Sequence, residues 1–176
     1  MMNAKRHLMR AGVLGAVAGA GGTLAMDLIE FRRYRQAGGT YPLVAWETAK
    51  GIDKWDNSSA PGQFGKRVVE AITGRELPER WARATTNAVH WTTGIGWGAQ
   101  FGFLSGLSPR HRLAQGVLLG PTAWLAGYVI LPLAKVYKPI WDYDAATLTK
   151  DLGTHLTFGS VTAASFAVLA RSLARR

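Results

Sequence analysis

The chain has 176 residues, 48% of them hydrophobic, a formal net charge of +10 and no cysteine. That length fits one domain, and the missing thiols exclude disulfides and thiolate metal sites. The basic residues form small clusters flanking apolar stretches, which argues against nucleic acid as a partner and for a bilayer with anionic headgroups.

The first apolar stretch is uncharged from Ala11 to Met26 and continues to Phe31 if Asp27 and Glu30 are accommodated. About 20 apolar residues cross the hydrocarbon core, so this reads as a first membrane span. Lys5, Arg6 and Arg10 ahead of a short apolar core also fit a signal peptide. The glycines and the acidic pair fit a packed helix better. Gly38-Gly39 breaks the chain after it.

Residues 32–86 are the one sizeable polar segment. Val44, Thr48, Ile52 and Trp55 share one helical face, and Phe64, Val68 and Ile72 share another. A turn rich in Ser, Pro and Gly separates the two, from Asn57 to Gly62. Leu77-Pro78-Glu79 reads as a further helix start. The segment is too short for a core of its own, so it reads as short amphipathic helices that lie on the membrane or cap a bundle.

The second span covers 87–107, and no charged residue stands between Ala84 and Pro109. Gly94, Gly98, Gly102 and Gly106 recur in it at strict spacing four. In a soluble helix each interior glycine costs about 1 kcal/mol relative to alanine. In a bilayer the same row lets a neighbouring backbone approach closely, as in a glycine zipper. Gly15 and Gly19 make a similar pair in the first span.

The third span, 113–134, holds Gly116 and Gly120 and two prolines, Pro121 and Pro132, which remove backbone donors. The fourth, 150–171, carries Gly159, Ala163 and Ala167. The expected fold is all-α: a single-domain integral membrane bundle of four transmembrane helices, with short amphipathic helices between the first and second spans.

Four spans put the N-terminus, the Ser108–Arg112 turn and the C-terminus on one side. That side carries Lys5, Arg6, Arg10, Arg110, Arg112, Arg171, Arg175 and Arg176 and no acid, which makes it the expected cytoplasmic side. The raw Lys and Arg count is higher opposite, mainly because of the long first loop. Trp81, Trp91, Trp141, Tyr137 and Tyr143 lie near that loop-rich face and read as an aromatic belt, with a substrate cage as the rival reading.

The same alternation gathers the membrane-proximal ionisable residues at one end. These are Asp27 and Glu30 at the end of the first span, and His90 at the start of the second. Asp142, Asp144, Asp151 and His155 lie in or before the first turns of the fourth. Ionisable groups in a membrane are functional candidates by default. Three chemistries compete with a purely structural network. His90, Asp151 and His155, with Asp27, are candidate ligands for a divalent metal. His90 and His155 are candidate axial ligands for a haem, with Gly94, Gly96 and Gly153 leaving room. The acids and histidines together are candidates to relay protons or bind a cation.

In the structural reading, Asp27 or Glu30 pairs with Arg83 or Arg80, and Asp142 or Asp144 caps the fourth span. No HExxH accompanies the histidines. Gly62-x-x-Gly65-Lys66 is too short for a phosphate loop, and Ser105 lacks the flanks of a nucleophile elbow. No catalytic residue is assigned and no cofactor is expected.

Three stretches carry a likeness. GTLAMD at 22–27, ELPERWARATTNAVHWTTGIGWGAQFG at 76–102 and VYKPIWDYDAATLTKDLGTHLTFG at 136–159 resemble the YagU-type family of uncharacterised bacterial inner-membrane proteins. The resemblance implies a small helical protein of the bacterial inner membrane and supplies no reaction or ligand. Segment 36–75 fits that pattern least. The expectation is a non-enzymatic structural or accessory component of the cell envelope, with a membrane protein partner or a second copy at its glycine faces. Proton or cation handling is the alternative, and metal or haem binding comes after it.

Overall fold

A computed structural model describes residues 2–174 of the chain; Arg175 and Arg176, counted above on the basic side, lie outside them. The described residues are helical, without a strand. The helices are α1 (Met2–Gln36), α2 (Leu43–Glu47), α3 (Ala60–Thr73), α4 (Ala82–Leu107), α5 (Arg112–Leu133) and α6 (Ala145–Ala174), joined in part by single 3-10 turns.

Three of these helices, within α1, α5 and α6, are long and apolar enough to cross a membrane. Although α4 is also long and uncharged beyond Arg83, it is built from Gly, Trp, Thr, Asn, His and Gln between its apolar residues. Those side chains lower its mean hydropathy.

The packing order is α4, α1, α6, α5, with α3 laid on the free side of α4. The inside of this assembly is small and the outside is large. Thr154, Thr162 and Ser105 are the largest side chains that are fully buried. Val13, Val17, Leu24 and Leu28 on α1 and Val117, Leu118, Leu125 and Val129 on α5 are exposed. In water, apolar surface of that extent on every long helix would drive association. Against lipid tails it costs nothing, and close backbone packing becomes the main attraction between helices. A modest core of Ala11, Ala18, Phe101, Leu119, Ala123, Phe158 and Phe166 fills the centre. Within it α4 and α6 meet edge to face through Phe101 and Phe166, at 5.4 Å between ring centroids.

The glycine row of α4 faces α1. A Cβ on Gly98 would stand 2.5 Å from the Cα of Gly19, and one on Gly102 would stand 2.8 Å from the Cα of Gly15. Gly94 lies against Thr23, and Gly106 against Ala11 and Leu8. Two rows with the same spacing therefore run antiparallel in register: Ala11, Gly15, Gly19, Thr23, Asp27 on α1 and Gly106, Gly102, Gly98, Gly94, His90 on α4. The neighbouring backbone that this row admits is therefore that of the first span. Only glycine lets two backbones meet this closely, and the helix offering matching glycines is α1. A second seam joins α5 to α6, with Gly116 against Ala163 and Gly120 against Gly159.

The polar segment departs further from expectation. The predicted face through Val44 and Trp55 does not form, because α2 is only five residues long and Val44 is exposed. Trp55 instead anchors the connection: it is 3% exposed, and its Nε1 donates to Leu77 O at 2.8 Å. In α3, Gly62 and Gly65 face Thr86, Thr85 and Val89 of α4. Its predicted apolar face is left partly open, with Val68 and Ile72 exposed. That arrangement suits a helix lying at an interface.

Candidate functional site

The in-register seam between α1 and α4 ends in a pair of ionisable residues. One turn beyond Thr23 and Gly94, the His90 Nε2–H donates to Asp27 Oδ2 at 2.8 Å. Asp27 is 5% exposed, so its carboxylate is held almost out of solvent. A buried carboxylate needs such a partner, because stripping its water without compensation is costly.

A third group joins them from the polar segment. Glu47, the last residue of α2, brings its carboxylate alongside, and one ligand atom each from Asp27, Glu47 and His90 lie within 4.8 Å of one another. Burial, followed by the charge and hydrogen bonding of Asp27, pushes the Glu47 carboxyl up from 4.5 to about 7, against a smaller opposing pull from His90. Glu47 Oε2 is buried without a hydrogen-bond partner.

The position of α2 has identifiable causes. Its Trp46 ring packs on Phe31 and Tyr34 of α1, at 5.5 and 6.0 Å between centroids. Just past Glu47, Thr48 O accepts hydrogen bonds from Arg83 Nε (2.7 Å) and Asn87 Nδ2 (3.1 Å). Arg83, Asn87 and His90 lie at helical spacing on α4, so one face of α4 both supplies the histidine and clamps the turn that carries the glutamate.

The remaining residues of the expected cluster are elsewhere. Glu30 pairs with Arg33 and accepts from Thr154 Oγ1 at 3.0 Å, and Arg33 also donates to Thr154 at 2.7 Å. This network ties α1 to α6. The expected pairing of these acids with Arg83 does not form: Asp27 meets His90, Glu30 meets Arg33, and Arg83 is turned to Thr48.

On α6, His155 Nδ1 stands 3.0 Å from Asp151 O and 3.5 Å from Asp151 Oδ1. Asp151 lies toward Tyr128 of α5, whose ring meets Tyr137 and Tyr143 at 5.6 and 5.4 Å. Tyr137 and Tyr143 thus turn inward, while Trp81 and Trp141 are exposed as a belt would be. The Tyr137 hydroxyl is pushed up by burial and then by the Asp151 charge.

Asp144 caps α6, accepting from Thr147 N at 2.8 Å and Thr147 Oγ1 at 2.7 Å, which holds its carboxyl below the usual value. Asp142 is exposed in the turn before it. Ser105, at the other end, is buried and donates to Gln115 at 3.1 Å.

The expected single cluster is therefore two centres on opposite sides of α1. His90, Asp151 and His155 do not form one metal site. Nor do the two histidines face each other across a haem, since each ring is engaged by a different aspartate. Gly94 is filled by Thr23, and Gly96 and Gly153 open outward. Sequence reasoning missed Glu47, Arg33 and Thr154. Glu47 had one legible signal, an acid following an aromatic in a segment expected to cap the bundle.

Compared with known proteins, the chain matches no family model, no curated protein and no solved structure. Its class rests on the fold: an all-helical protein with three helices able to cross a membrane.

Proposed function

We propose that this chain is a four-span protein of the bacterial inner membrane, with both termini cytoplasmic, that binds a cation at its outer face through Asp27, Glu47 and His90. One observation carries the reading: two carboxylates and an imidazole from three separate elements converge within 4.8 Å at the end of the glycine seam between α1 and α4. Ionisable groups placed at membrane depth and turned toward each other are expensive to keep, which favours a working role. The stretches that resemble the YagU-type family contain Asp27 and His90, and also Asp151 and His155 of the second centre. The basic N-terminal end and the Arg110–Arg112 turn support the orientation.

The test is thermal denaturation in detergent across a panel of sodium, potassium, magnesium, calcium, zinc and cobalt salts at constant ionic strength. At least one cation is expected to raise the midpoint of the wild type and to leave Asp27→Asn unmoved. A flat response to every cation overturns the reading and leaves an accessory role in the envelope, to be sought by co-purification of a stoichiometric partner. Topology has a direct check, because the chain has no cysteine. A single cysteine at Asn57 should react with an impermeant maleimide in intact cells, and one at Ser108 should react only after lysis.

A further inference from the structure

We propose that Asp27, Glu47 and His90 are a binding site for one divalent transition-metal ion of the zinc class, with a coordination position left open. The inference rests on the cation-binding reading above and narrows it to a ligand.

The donor set is the first argument. Magnesium and calcium are held by oxygen donors, whereas imidazole together with carboxylate suits zinc, iron, manganese or cobalt. No thiol is present anywhere in the chain, which disfavours a site for cuprous ion. With a neutral imidazole the two carboxylates carry a charge of 2−, which one dication balances.

Geometry is the second argument. Ligand atoms around a four-coordinate zinc ion stand about 2.0–2.2 Å from the metal. Tetrahedral angles then put those ligand atoms about 3.3–3.6 Å from one another. Asp27 and His90 are at 2.8 Å, and the whole trio falls within 4.8 Å. An ion entering between them would replace the His90 to Asp27 hydrogen bond and take Glu47 as its third ligand. Three protein ligands leave a fourth position for water or a substrate, the pattern of sites that keep an open valence.

Glu47 Oε2 is buried and has no hydrogen-bond partner, in a site where Asp27 is 95% buried. A buried polar oxygen left without a partner is costly, and a metal ion bound there would satisfy it. The supporting contacts are also in place: Arg83 and Asn87 hold the turn at Thr48, and Trp46 fixes α2 on α1. Arg83 is a positioning residue here, acting through the backbone beside Glu47.

The second centre is the built-in control. Asp151 and His155 offer a carboxylate and an imidazole at adjacent turns, but their neighbours are the Tyr128, Tyr137 and Tyr143 rings rather than a third carboxylate. They do not complete a three-ligand set.

The experiment uses the full chain in detergent, stripped with a chelator, passed through a desalting column and titrated with zinc sulfate alone. Elemental analysis is expected to find one zinc per chain. Asp27→Asn, Glu47→Gln and His90→Ala should each weaken binding by more than the roughly 10–100-fold that loss of a supporting partner costs. Arg83→Ala should fall inside that range, and Asp151→Asn and His155→Ala should bind as the wild type does. Helical circular dichroism and a monodisperse elution profile qualify each variant as folded. Cobalt binding supplies a second readout, a visible d–d spectrum that requires the imidazole and disappears in His90→Ala.

Substoichiometric zinc in the wild type, or equal loss in His155→Ala and His90→Ala, overturns the assignment. If magnesium or calcium stabilises the protein through Asp27 while zinc and cobalt do not, the metal class is wrong and the cation-binding reading stands. If no cation binds, both fall.

Discussion

The α1–α4 and α5–α6 pairs are built on the same plan and end differently. Each is a seam of small residues that brings two backbones together, and each runs up to a histidine and an aspartate at one end of the bundle. In the first, the histidine and aspartate come from different helices, and α2 adds a carboxylate over them. In the second, both come from α6, and the space is filled by tyrosine rings. What closes over the end of a seam therefore decides its chemistry. A glutamate makes a candidate ligand set, and a tyrosine cluster makes a packed polar plug.

The largest expected effect is on the seams themselves. Gly98→Leu drives a side chain into the α1 backbone, where Gly19 Cα already stands 2.5 Å from the position of a Cβ. Backbone cannot give way as a flexible side chain can, so folded, monodisperse protein should be largely lost. Gly98→Ala should cost at least the ~1–3 kcal/mol typical of overpacking, read from thermal denaturation in detergent. The contrast is Gly96→Ala, on the open face of the same helix, which should be neutral or stabilising by up to ~1 kcal/mol. Equal losses at both positions would show that the seam is not the source of the effect.

Removing the histidines sharpens the comparison between the two ends. His90→Ala strands two adjacent carboxylates, one of them 95% buried. It should cost about 2–3 kcal/mol, somewhat below the ~3–5 seen when a fully buried pair is broken. His155→Ala removes a partner from a carboxylate on its own helix and should cost ~1 kcal/mol or less. The reverse ranking in chemical denaturation would mean that the α6 centre carries the structure.

Acid and base should act on the first centre through Glu47. Its carboxyl is raised from 4.5 to about 7 in the folded protein. A raised folded value means that the stabilising contribution is complete below the unfolded value and is lost as pH climbs through about 7. The metal-free protein should accordingly weaken between about pH 5 and 8, and Glu47→Gln should flatten that fall. At pH 8 the variant should gain on the order of 1 kcal/mol after discounting for solvent screening, or ~2–4 °C in the midpoint. A midpoint in the variant that falls with pH as the wild type's does would assign the fall to another group.

The smallest effect belongs to the α6 cap. Asp144 has a lowered carboxyl because Thr147 donates to it twice. Its contribution is present above the ordinary aspartate value and is lost as pH falls through the lowered one. Asp144→Ala should fray the first turn of α6 without changing metal binding, visible as faster amide exchange at Thr147. Unchanged exchange would remove the cap from the account.

Much of this was legible in the residues. The spacing of Gly94 to Gly106 and of Gly15 to Gly19 announced close-packed helices, and the apolar stretches marked three helices, α1, α5 and α6, as long enough to cross a membrane. Counting the long helices up and down put Asp27 and His90 at the same end, and the two are hydrogen-bonded. Glu47 was not legible as a third member. It lies in a segment whose local periodicity pointed to a longer helix, and its placement depends on Trp46 stacking on α1 and on Arg83 reaching Thr48. The Arg33–Thr154 link between α1 and α6 was hidden for the same reason.

Helix formation, apolar length and small-residue spacing are properties of neighbours along the chain, so the amino-acid order alone settles them. Which helix lies beside which is a contest among all the small-residue faces at once. It is decided by where two backbones can approach without a Cβ between them. That contest placed α1 between α4 and α6, divided one expected polar cluster into two, and brought Glu47 onto the Asp27–His90 pair.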